Sequence, residues 1–81
     1  MHASDLSFPT FPAAAHRASI RWALFTHPEI RDVLPTLHGD TLRVLHDGPI
    51  DAAGWSATLT AAGFPAPRVG DAPTLAAIVA R

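Results

Sequence analysis

The chain has 81 residues and no cysteine, so one small apolar core must hold its fold together without covalent help. A domain of this size buries only about 60% of the surface its unfolded chain exposes. Proline and glycine narrow the choice further. Pro9, Pro12, Pro28, Pro35, Gly39, Gly48-Pro49, Gly63, Pro65 and Pro73 cut the chain into short runs. No run approaches the roughly 18 apolar residues of a membrane span. Hydrophobic residues make up 48% and charged residues 16%, too apolar a mixture for a disordered tail. A single domain of short elements around one core is what remains.

Residues 1–12 contain two Phe-Pro steps, each pushing its Phe toward an extended conformation, and read as an irregular arm ahead of a domain at 13–81. Residues 13–26 are ambiguous. Pro12 and the alanines favour a helix, but Ile20, Trp22 and Leu24 alternate with Ser19, Arg21 and Ala23, which points to a strand over 19–25. Thr26-His27-Pro28-Glu29 matches a capping box, with Ile30, Val33 and Leu34 sharing a face behind it, so a helix is expected over 26–34. Residues 41–46 read as a strand and 51–62 as a helix capped by Asp51 and ended by Gly63. Gly54 inside that helix marks either a close approach or a late start. Residues 68–70 and 74–80 read as strands. This order implies an α+β fold: a small two-layer sandwich, two or three helices on one face of a three- to four-stranded sheet.

The missing side chains exclude chemistry. Without Cys or Lys there is no thiolate nucleophile, Cys-based metal site, Schiff base or P-loop lysine. Ser4, Ser7, Ser19 and Ser56 lie in no nucleophile motif, and no glycine-rich phosphate loop is present. No enzyme activity and no cofactor are expected. Net charge is −1, and six scattered arginines form no basic patch, which argues against nucleic acid. No basic region precedes an apolar one at the N-terminus, so a soluble cytoplasmic protein is expected, without membrane attachment. Heavy use of Ala, Arg, Pro and Gly is that of a GC-rich bacterial genome.

If 19–25 and 41–46 were parallel neighbours, their C-terminal ends would bring His27, His46 and Asp47 to one edge, with Asp51 at a helix N-terminus beside them. These four are the candidate ligand-, anion- or metal-binding residues. Each also has a plain structural reading, as cap, turn or loop residue. Phe8, Phe11, Trp22 and Trp55 are candidates for an interaction surface, weighed against burial in the core. The leading expectation is a non-enzymatic module that binds a protein partner or forms a homodimer. A ligand- or metal-binding domain using His27, His46 and Asp47 is the alternative. A helix-turn-helix-like nucleic-acid binder, built on 13–25 and 28–34 with Arg17, Arg21 and Arg31, is the second.

From Thr41 onward the order of strand, helix and closing strands, with Trp55, Leu59, Ala62, Gly63 and Phe64 in a W-x-x-x-L-x-x-A-G-F pattern, resembles the C-terminal segment of class I methyltransferases. The likeness covers half the chain. The Gly-rich loop and ribose-binding acid of that family have no counterpart here, so it implies local architecture and transfers no functional residue.

Overall fold

A computed structural model describes residues 1–72. Four strands, β1 (His2–Ser7), β2 (Ile30–Pro35), β3 (Thr41–His46) and β4 (Arg68–Asp71), form one antiparallel sheet in the order β2-β3-β1-β4. Two helices, α1 (Arg17–Leu24) and α2 (Ala52–Ala61), with a 3₁₀ turn at Ala13–His16, pack on one face of it. This is the expected α+β architecture. No helix among the described residues is long and apolar enough to cross a membrane.

The inner sheet face follows from the period of two. Leu42, Val44 and His46 of β3 point inward, opposite Leu6, Ser4 and His2 of β1, while Val33 and Ile30 of β2 flank Val44 and His46. Ile20 and Leu24, one turn apart on α1, and Trp55 and Leu59, one turn apart on α2, close this core. On the other face, Arg43 and Asp5 form a bidentate pair at 2.9 and 3.3 Å across β3 and β1.

Three expectations need correction. The stretch read as an irregular arm contains β1, an inner strand of the sheet. Its residues HASDLS carry almost no apolar signal, and its order comes from pairing on both sides, to β3 and to β4. Residues 17–24 are helical, not extended. The alternation there is misleading because Trp22 is 79% exposed, so only Ile20 and Leu24 define the buried stripe. Residues 30–35 are a strand rather than a helix. The capping box is dismantled at both ends: Thr26 Oγ1 donates back to Ala23 O at 3.1 Å and finishes α1, while the Glu29 carboxylate is taken by Trp55. A helix of that length has little stability of its own, and the ladder with β3 wins. No parallel strand pair exists among the described residues, and the helix-turn-helix-like pair is not formed because its second helix is β2. The strand expected over 74–80 lies outside the described residues.

Candidate functional site

Two regions stand out, at opposite extremes of polarity. The first is the end of the sheet where β3 passes into α2. Gly48, with φ +74°, turns the chain, and Asp51 caps α2 by accepting from the Gly54 amide at 3.1 Å. The cap explains the helical glycine. A Cβ at position 54 would collide with the Asp51 carboxylate, so only glycine lets that side chain fold over the first turn.

One stripe of α2, at residues 51, 55 and 58, organises the groups around it. Trp55 Nε1 donates to Glu29 Oε2 at 3.0 Å. His27 Nε2 is joined to Thr58 Oγ1 at 2.7 Å, which leaves Nδ1 facing Glu29 Oε2 at 3.7 Å. His27 and Glu29 come from the short segment between α1 and β2, held by the His27 amide donating to Leu24 O and the Asp47 amide donating to Glu29 O, both at 2.9 Å. Ligating atoms of His27, Glu29 and Asp51 all lie within 4.8 Å of one another. The Trp55 hydrogen bond, backbone hydrogen bonding and the nearby imidazoles of His27 and His46 hold the Glu29 carboxyl below its ordinary range.

Of the four expected site residues, His27 and Asp51 are thus brought together, by an antiparallel route rather than the parallel one. Asp47 is turned away, its carboxylate accepting from Arg31 Nε at 2.6 Å. His46 is buried under the sheet end. Its Nε2 is 2.8 Å from Ser4 Oγ, its ring stacks on His2 and meets Trp55 edge-on at 4.9 Å, and its Nδ1 has no partner among the described residues. The Ser4–His46 contact has the length of a nucleophile–base pair, but both residues are only 1% exposed and no carboxylate orients Nδ1. It satisfies buried polar atoms. Glu29 was missed by sequence reasoning because the capping box accounted for it; its spacing from His27, across Pro28, is the signal that marks the pair.

The second region is the outward side of α1. Trp22 stands out of the surface beside Phe25, over whose ring the Arg21 guanidinium lies at 4.5 Å. An open hollow of about 630 Å³ separates Trp22 from the end of α2, lined by Ala18, Ser19, Trp22, Ala23, Ala62 and Phe64. A second hollow of about 250 Å³ lies between Trp22, Phe25 and Thr26. No charged side chain lines either one. The other aromatics expected on an interaction surface are elsewhere: Phe8 and Trp55 are fully buried in the core, and Phe11 is half-buried, stacked on His16 at 5.0 Å and against Phe64 at 6.0 Å.

The arginines expected to face nucleic acid are engaged. Arg17 donates to Val33 O at 3.1 Å, Arg21 pairs with Asp32 at 2.9 Å, and Arg31 pairs with Asp47. Trp55 and Leu59 of the methyltransferase-like pattern are core residues of α2. No family model matches the sequence, and no curated protein and no solved structure matches it.

Proposed function

We propose that this protein is a small non-enzymatic self-association module that pairs with a second copy through the Trp22 face of α1. The observation that carries the proposal is a large indole, 79% exposed, flanked by uncharged hollows on the same helix face. A patch that carries both a projecting aromatic group and a recess beside it is self-complementary. A two-fold axis through it seats each Trp22 in the hollow between the other copy's α1 and Phe64. Aromatic anchors in desolvated recesses supply most of the free energy of such interfaces. A mostly apolar, uncharged lining suits a like surface better than a charged partner.

Sedimentation equilibrium tests this directly. The wild-type chain is expected to move from monomer to dimer as concentration rises, and Trp22→Ala to remain monomeric with an unchanged circular dichroism spectrum. A wild type that stays monomeric at millimolar concentration, or a variant that dimerises as well as the wild type, overturns the proposal.

A further inference from the structure

We propose that His27, Glu29 and Asp51 form a binding site for a first-row divalent transition-metal ion, of which Zn²⁺ is the best probe. The donor set is one imidazole nitrogen and two carboxylates. Such a mixed set suits borderline ions such as Zn²⁺ rather than Mg²⁺ or Ca²⁺, which are held by oxygen ligands alone.

The separations fit. Zinc bonds to nitrogen and oxygen are about 2.0–2.2 Å, so two donors on one tetrahedral ion lie roughly 3.4 Å apart. His27 Nδ1 and Glu29 Oε2 are already 3.7 Å apart. Asp51, whose ligating oxygen lies within 4.8 Å of both, is the exposed member and the one that must move closer to the ion. Three protein donors leave one coordination position for water.

The surroundings present these donors from outside the trio. Thr58 holds the far nitrogen of His27, which fixes the ring with Nδ1 toward the other two groups. An outer partner on the second imidazole nitrogen is the usual companion of a metal-bound histidine. Trp55, packed in the core, donates to the same Oε2 of Glu29 that faces His27 and steadies it through one lone pair, leaving the other lone pair for an ion, while Gly54 holds Asp51 through Oδ1 and leaves Oδ2 free. The same end of the sheet also leaves His46 Nδ1, a deeply buried nitrogen against Trp55, without a partner among the described residues. His27 and Glu29 are half-buried and Asp51 is exposed, so an ion has a route in from solvent.

Isothermal titration of the full chain with Zn²⁺ tests the site. One ion per chain is expected, with Mg²⁺ giving no heat. Glu29→Gln still accepts from Trp55, and Asp51→Asn still caps α2, so both variants keep the fold while removing a charged donor. Each is expected to weaken Zn²⁺ by about 100-fold, as is His27→Ala, with thermal unfolding of the two isosteric variants checked in parallel. Loss of binding in the folded isosteric variants supports the site. Absence of heat in the wild type, or affinity unchanged in the folded variants, overturns it, the latter assigning binding to the other histidines. Neither outcome bears on the Trp22 interface, which lies on the outer side of α1.

Discussion

Trp55 and Trp22 are the same side chain used in opposite ways, and the regions around them differ accordingly. Trp55 is fully buried, and its one polar atom is spent on Glu29. Around it, His27 is tied to Thr58, Asp51 to Gly54 and Ser4 to His46, drawing on β1, β3, α2 and the segment between α1 and β2. Trp22 sits on a helix of eight residues, makes none of these links and presents its ring to solvent. Burying an indole whose N–H is satisfied strengthens a small core, whereas exposing one leaves apolar area that association can remove from water. One region therefore holds the chain together, and the other is free to meet a second copy.

Truncating the two indoles gives the largest expected contrast. Trp55→Ala is expected to cost about 3–5 kcal/mol, close to the whole stability of so small a domain, and to leave the chain largely unfolded. Trp22→Ala is expected to change the unfolding free energy of the monomer by less than about 0.5 kcal/mol. Equal losses in urea titrations at low concentration would erase the distinction.

A second test sharpens the polar side of the comparison. Ser4→Ala strips the His46 imidazole of its one hydrogen bond among the described residues and is expected to cost about 1–3 kcal/mol. Adding His46→Leu removes the stranded imidazole, and the double variant is expected to recover part of that loss. A double variant less stable than Ser4→Ala would show that the imidazole contributes through packing alone.

Smaller still is Gly54→Ala. Helix propensity alone favours alanine by about 1 kcal/mol, yet the added Cβ displaces the Asp51 cap, so a net destabilisation of about 1 kcal/mol or less is expected. A stabilised variant would mean that the cap contributes little.

The smallest effect belongs to the surface. Arg21, and then the Val33 amide, lower the pKa of Asp32. A depressed carboxyl contributes stability that is fully present above its unfolded value, near 3.8, and is lost as pH falls through the lower folded value. Asp32→Asn is expected to lower stability slightly at neutral pH and to converge with the wild type once pH falls below the folded value, so that the acid limb of its profile is flatter. An equal loss at neutral and acid pH would assign Asp32 a role other than its charge.

The elements legible in the sequence are those whose signals are local. Thr41–His46 alternates beside a Gly-Pro break, and α2 has its cap at Asp51 and its stop at Gly63, so neighbours in sequence decide them. His2–Ser7 has no such signal, because only partners some forty residues away make it a strand. Thr26 and Glu29 carry a genuine helix-start pattern that loses to remote competitors, one of them an indole 26 residues on. The site shows the same division. His27 and Asp51 are recognisable beside their turns, whereas Glu29 acquires its place only through Trp55, and Asp47 is lost to Arg31. Trp22 could not be told from a core residue until the rest of α1 showed which side faces the sheet.

The emission of Trp22 alone, followed in a Trp55→Phe variant over a wide range of protein concentration, tests the central claim most directly. The account predicts that the spectrum moves from that of a water-exposed indole toward shorter wavelength as the chains pair. An emission that stays at the water-exposed position at every concentration would contradict it.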